Sequence, residues 1–184
     1  MRSRDRIHVT EGFCILWALL ILVLPLRILL GAAVAAVFHE LCHALAVGLA
    51  GGRILGLTLG AEGLTMEVTD LKGGRELVCA LAGPAGSLLL SAAPIPEIAV
   101  CAFLQGCFNL IPLAPLDGGR ALGCALELAV PGYKDRIQRT VEAVVLTGLL
   151  VLIPVSGLGM GALGAWMLLA MRKFPCKQGR KAVQ

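Results

Sequence analysis

Apolar residues run along this chain in six long blocks divided by short polar breaks, at about 12–27, 28–50, 76–93, 97–114, 139–154 and 157–171. Each block approaches the roughly 20 apolar residues that a helix needs to cross a bilayer. Pro25 and Arg27 divide the first pair, Pro94 and Pro96 the middle pair, and Pro154 with Gly157 the last pair. The pattern predicts an all-α polytopic membrane protein of about six transmembrane helices. Between the second and third blocks the period changes from helical to alternating. Leu55, Leu57 and Leu59 oppose Gly56, Thr58 and Gly60; after Ala61-Glu62-Gly63, Leu64, Met66 and Val68 oppose Thr65, Glu67 and Thr69. A period of two on both sides of a short turn predicts a small β-hairpin resting on the cytoplasmic face.

Composition removes the soluble alternatives. With 184 residues, 58% hydrophobic and only 15% charged, the chain has more apolar surface than a small core can bury. Mean hydropathy is +0.86. Of the 16 Lys and Arg residues, all but Arg27 fall at one alternating set of block ends. Positive residues near span ends stay on the cytoplasmic side, which predicts six spans with both termini cytoplasmic, in a bacterial cytoplasmic membrane. The apolar stretch from Gly12 runs on with no small-residue cleavage signal before the next block, so the first block reads as a retained helix. One intramembrane domain is expected over 1–184, with a core at about 12–171 and a basic tail at 172–184. The basic excess does not indicate nucleic acid, because aromatics are few and the positive residues are spread over loops and tails. The 7 cysteines, most of them inside apolar blocks, read as small packing residues rather than a disulfide framework.

Chemistry concentrates in two places. The second block contains Phe38-His39-Glu40-Leu41-Cys42-His43, an H-E-x-x-H motif. On a helix, positions four apart share a face, so His39 and His43 can present imidazole nitrogens to one metal ion, while Glu40 can reach a water there as general base. Ionisable residues near the middle of a membrane cost on the order of 3 kcal/mol or more each, and a zinc site accounts for all three together. A catalytic zinc commonly takes three protein ligands. The fourth block ends in Phe108-Asn109-Leu110-Ile111-Pro112-Leu113-Ala114-Pro115-Leu116-Asp117-Gly118-Gly119-Arg120. Its prolines break the helix, its glycines permit a tight return, and Asp117 offers the missing carboxylate. Blocks two and four run in the same direction, which brings His39, His43 and Asp117 to similar depth. Asn109 can satisfy backbone groups freed by the break. Glu62, Glu67 and Asp70 belong to the hairpin region, Glu97 lies on the opposite side, and Glu127 follows in a helix-like stretch. Gly159-Met160-Gly161-Ala162-Leu163-Gly164 spells a dinucleotide-binding fingerprint, but it follows no strand and reads as close helix packing. Leu81-Ala82-Gly83-Pro84-Ala85-Gly86-Ser87 reads as a kink and a close-packing face.

H-E-x-x-H in one span, a Gly-Pro span after it and N-x-x-P-x-x-P-x-D-G-G at the end of a later one together resemble the site-2 protease family of intramembrane zinc metalloproteases (peptidase M50). The resemblance is nearest to the six-span sporulation branch that processes a precursor sigma factor. It implies one zinc ion bound by His39, His43 and Asp117, Glu40 as catalytic acid/base, and Asn109 positioning a substrate that is a membrane or membrane-associated protein. It also implies a membrane partner that blocks the site until needed. No PDZ insertion divides the blocks, and the residues after Arg172 are too few for the nucleotide-binding CBS domain often appended in the sporulation type.

Three other readings use the same residues. A zinc transporter needs polar residues through both membrane halves, and the outer half holds only Arg27 and Glu97 at its edge. A non-proteolytic scaffold does not require Glu40. A zincin of another family takes a glutamate as third ligand, for which Glu127 is the candidate. Under the protease reading the hairpin gains a role: an exposed strand edge near residues 55–69 could hold substrate extended beside the metal. Proline at Thr65 or Thr69 is predicted to cut cleavage while leaving metal bound, and unchanged cleavage would overturn the strand-addition idea.

Overall fold

A computed structural model describes residues 7–60, 63–69 and 71–155. The sixth apolar block, its glycine stripe, the basic tail, Glu62 and Asp70 lie outside the described residues. In chain order the elements are β1 (Ile7–Val9), α1 (Glu11–Val23), α2 (Leu26–Leu49), β2 (Ile54–Gly60), β3 (Gly63–Val68), α3 (Gly74–Leu90), α4 (Pro96–Asn109), α5 (Asp117–Ala129), a 3-10 turn at Pro131–Tyr133, and α6 (Lys134–Val155).

The breaks follow local chemistry. Leu24 precedes proline and takes an extended backbone (φ −98°, ψ 142°), which ends α1, and Pro25 then leads into α2. Arg27 therefore lies in the first turn of α2 rather than between two spans. α2 closes on a glycine pair. Gly51 adopts φ +80°, its N–H donates to the Gly48 carbonyl, and the Gly52 N–H donates to the Val47 carbonyl at 2.9 Å. That is the Schellman closure, which satisfies carbonyls left over at a helix end. α4 starts at Pro96, where a missing N–H costs nothing.

The pattern of apolar blocks predicts six spans. Among the described residues one helix, α2 with 24 residues, is long and apolar enough to cross a membrane by itself. α3 has 17 residues and α4 has 14, or about 25 and 21 Å of helix at 1.5 Å per residue, against a hydrocarbon core of about 30 Å. α4 stops at Asn109, short of the end of its apolar block, where Pro112 follows. α5 is a helix of its own, placed where the block pattern has a turn and a helix-like stretch.

The hairpin forms with the expected alternation, Leu57 opposite Met66 and Leu59 opposite Leu64, with a bulge between Ile54 and Gly56. Leu64, Met66 and Val68 are half-buried while Thr65 and Glu67 are exposed. A third strand joins it. β1 pairs in parallel with β2, Ile7 with Leu57 and Val9 with Leu59, so β2 is central and the sheet order is β1-β2-β3. Parallel neighbours need a long crossover, here α1 and α2. Three residues are too few for an alternation to register, which is why β1 escapes a reading of periodicity. Among the described residues the free edge of the hairpin is thus β3, and residues 57–59 of β2 are paired on both sides. At the open end of the hairpin, the Thr69 N–H donates to the Arg53 carbonyl at 2.9 Å and the Arg53 N–H to Thr69 Oγ1 at 3.0 Å. Thr65 lies opposite Thr58, an even number of residues from Thr69 along the same extended segment, so its N–H also turns toward β2 and proline at either position opens the hairpin.

The helices pack α2 against α3 and α4, α3 against α4 and α5, and α5 against α6. Every fourth residue of α2, from Gly31 through Ala35, His39, His43 and Val47, is buried. Leu30, Val34, Val37, Leu41 and Leu45 on its other side are exposed. Two glycines near the end of α2 give a test with opposite signs, since an added Cβ meets nothing within 4 Å at either. Gly48→Ala removes backbone entropy from a helix and should stabilise by about 0.5–1 kcal/mol. Gly51→Ala forces a side chain into the left-handed region and should destabilise by about 1 kcal/mol or more. Unfolding of the two variants in detergent checks the pair.

Candidate metal centre

The structure brings His39, His43 and Asp117 together. His39 and His43 lie one turn apart on the buried face of α2, and Asp117 is the first residue of α5. His39 Nε2 lies 3.1 Å from Asp117 Oδ2, His43 Nε2 lies 3.0 Å from the same oxygen, and the two ring nitrogens are 3.1 Å apart. The three side chains are 3%, 10% and 12% exposed.

The chain break before α5 delivers the carboxylate. After Asn109 the backbone leaves the helix through Leu110–Leu116, with short turns Leu113 to Ile111 at 2.7 Å and Leu116 to Leu113 at 2.8 Å. As expected, Pro112 and Pro115 lie in this non-helical stretch. Gly118 and Gly119 do something different from the expected return. Both are inside α5, where a Cβ on Gly118 would collide with the Leu110 carbonyl oxygen and one on Gly119 would lie 2.5 Å from the Leu113 carbonyl carbon. Their missing side chains let the broken segment fold back onto the start of α5. A carboxylate in a first helical turn also faces the positive end of the helix dipole.

α3 forms the other wall. Its buried residues, Cys79, Ala80, Gly83, Pro84 and Ser87, fall on one face. The backbone carbonyl of Cys79 lies 2.8 Å from His43 Nδ1, and Ser87 Oγ lies 2.8 Å from His39 Nδ1. Gly83 sits between them: a Cβ there would overlap His43 Nε2 and lie 2.7 Å from His39 Nε2. Gly86, one turn later, would strike Cys42 Sγ in the same way. The expected close-packing face of the Gly-Pro helix is therefore the surface against which the two histidines lie. Cys79 and Ser87 are the site residues that sequence patterns did not single out; Ser87 lay inside the quoted Gly-Pro stretch, and a backbone carbonyl leaves no mark in side-chain identity.

The donor set fits a zinc ion. A carbonyl can only accept, so His43 Nδ1 carries the proton and Nε2 presents a lone pair. That lone pair faces a carboxylate oxygen and a second imidazole nitrogen at 3.0–3.1 Å. Two imidazole nitrogens and a carboxylate oxygen this close, in a site with little water, need a proton or a metal cation among them. Two imidazole nitrogens and one carboxylate oxygen are donors zinc accepts, and ligands about 2.0–2.1 Å from one ion stand about 3.3 Å apart in a tetrahedral site. Each histidine also has a hydrogen-bond partner on its other nitrogen, as metal-binding imidazoles do.

The remaining candidates separate cleanly. Glu40, next to His39 and half-buried, lies within electrostatic reach of both histidines, Asp117 and Arg120. Asn109 is half-buried at the end of α4 and gives its amide to the Gln105 carbonyl at 3.1 Å, one turn back in its own helix. Glu127 is 64% exposed and accepts from Lys134 Nζ at 2.6 Å. That ammonium holds the Glu127 carboxyl below its ordinary range, and no hydrogen bond or ion pair of Glu127 reaches the histidines. Among the described residues, His39, His43 and Asp117 are the group that could hold a metal.

Residues 12–99 match the model of the Peptidase M50B-like family. Among solved structures, the Site-2 Protease from Methanocaldococcus jannaschii superposes with a TM-score of 0.68 at 20% sequence identity, over 94% of this chain and 92% of that one. In fold, the chain is similar to a site-2 protease. Comparison with curated proteins gave no match. The matched residues 12–99 take in H-E-x-x-H and the Gly-Pro helix, and Asp117 lies beyond them.

Gly83→Ala should separate α2 from α3 at the histidines. Overpacking of this kind costs about 1–3 kcal/mol of stability, and zinc should be lost from the purified protein. Wild-type zinc content in a folded Gly83→Ala variant would sink the close-approach account.

Proposed function

We propose that the chain is a membrane-embedded zinc metalloprotease of the site-2 (peptidase M50) type, which hydrolyses a peptide bond in a membrane or membrane-associated protein. The observation that carries this reading is the meeting of His39, His43 and Asp117 beside Glu40, from two segments 74 residues apart, in a fold similar to a site-2 protease. The match of residues 12–99 to the Peptidase M50B-like family model supports it.

The membrane part of the reading is supported by an inverted distribution of polarity. Large apolar side chains face outward along α1 and α2, including Ile15, Leu19, Leu22, Leu41 and Leu45, while His39, His43, Ser87 and Glu142 are buried. A soluble protein rarely leaves so much apolar surface open, whereas ionisable groups inside a bilayer turn toward the protein interior. In this reading the chain is multi-pass with its termini cytoplasmic.

Zinc, when bound, would lower the pKa of a water toward about 7 and polarise a carbonyl. His39 and His43 would hold it from α2 and Asp117 from α5. Glu40 accepts the proton of the attacking water and returns it to the leaving amine, a transfer worth about 10²- to 10⁴-fold in rate. Asn109 lies at the break between α4 and α5, where a substrate backbone passing the site would meet it. A substrate helix has its carbonyls engaged, so it must be drawn out before attack, and the β3 edge is the place for it to add as a strand. The finer reading, a precursor sigma factor as substrate and an inhibitory membrane partner, rests on the motif resemblance to the sporulation branch.

The test is zinc content and cleavage of a membrane-associated substrate, co-expressed with wild type, Glu40→Gln and Asp117→Ala. Glu40→Gln should keep its zinc and lose about 10²-fold or more of its activity, while Asp117→Ala should lose metal and cleavage together. Zinc-free wild-type protein would overturn the assignment. Glu127→Gln should cleave like wild type; its loss of zinc would instead favour a zincin with a glutamate ligand.

A further inference from the structure

The two histidines of the metal centre are oriented by different means. His43 Nδ1 is fixed by a backbone carbonyl, that of Cys79, which can only accept. His39 Nδ1 is fixed by Ser87 Oγ at 2.8 Å, a hydroxyl that can accept or donate. Ser87 is 0% exposed and stands on the face of α3 that carries Gly83 and Pro84. The choice made by this hydroxyl decides what His39 offers. Accepting from Nδ1–H leaves a lone pair on Nε2, aimed at the point shared with His43 and Asp117. Donating to Nδ1 would put the proton on Nε2, which would then give a hydrogen bond to Asp117 Oδ2 at 3.1 Å and leave His39 unable to bind a metal.

We propose that Ser87 is a positioning residue of the metal centre: its buried hydroxyl accepts from His39 Nδ1, fixes the tautomer and ring angle, and so makes Nε2 a ligand. The proposal rests on the zinc reading of the site. Cys79 and Ser87 lie two helical turns apart on α3, opposite histidines one turn apart on α2, with Gly83 midway. α3 thus bonds the far nitrogen of each ring, while Gly83 lies against the two Nε2 atoms without offering a side chain. Partners of this kind raise ligand affinity by roughly 10- to 100-fold.

Zinc affinity of the full-length protein in detergent, measured by competition with a chromophoric chelator, tests the proposal without any substrate. Ser87→Ala should bind zinc roughly 10- to 100-fold more weakly than wild type, Ser87→Thr should restore most of the affinity, and the visible spectrum of the cobalt-loaded protein should shift in the alanine variant and return in the threonine one. Ser91→Ala, one turn on, where the hydroxyl donates to the Leu88 carbonyl, serves as the control and should bind like wild type. Wild-type affinity in Ser87→Ala overturns the positioning role, and so does an equal loss in the alanine and threonine variants, which would assign the effect to packing. Failure of the wild-type protein itself to take up zinc overturns the metal reading, and this proposal with it.

Discussion

Two imidazole nitrogens and a carboxylate oxygen meet within 3.1 Å of one another in an apolar interior, and the arrangement of this protein follows from having to hold them there. Burial takes water away from His39, His43 and Asp117, and the surrounding protein has to supply partners in its place. The chain does so with backbone geometry. α2 fixes the spacing of the histidines, α3 bonds the far nitrogen of each ring, and the break before α5 drives a carboxylate in from the other side. A proton or a metal cation among the three then completes the site.

Small residues carry much of this work. Gly83 lets α3 approach until its backbone and Ser87 can support the imidazoles, and Gly86 receives Cys42 in the next turn. Gly118 and Gly119 let the unwound stretch Leu110–Leu116 rest on the start of α5. Leu113 and Leu116, both buried, then pack with Leu146 of α6 and anchor the break from the outside. The hydrophobic cluster and the polar site are thus consecutive parts of one segment: burial of the leucines sets where Asp117 can be.

Much of this was legible beforehand, for a physical reason in each case. Two histidines four positions apart on an apolar helix share a face whatever surrounds them, and prolines at 112 and 115 interrupt a helix in any context. The hairpin alternation came through most clearly in β3, whose side chains alternate between a half-buried and an exposed face. The misses have equally specific causes. β1 is three residues long and is a strand only because β2 lies alongside. α5 carries two glycines directly after Asp117, poor helix formers that a local reading assigns to a turn, and the Leu110–Leu116 backbone packed on them leaves no room for side chains. The fourth apolar block gave a helix of only 14 residues because hydropathy does not register where Pro112 halts the backbone.

The sequence by itself determined which residues could do chemistry: imidazoles, a neighbouring glutamate and a carboxylate after a proline break have those properties in any fold. It also determined the period of each segment, since helical and extended backbones repeat at different intervals. Only the tertiary structure decided that Asp117 and not Glu127 faces the histidines, because that choice depends on how α5 docks against α3. It alone showed that a carbonyl and a serine hydroxyl lie behind the two rings. Distances between segments far apart in the chain are set by packing, and packing is a property of all the residues at once.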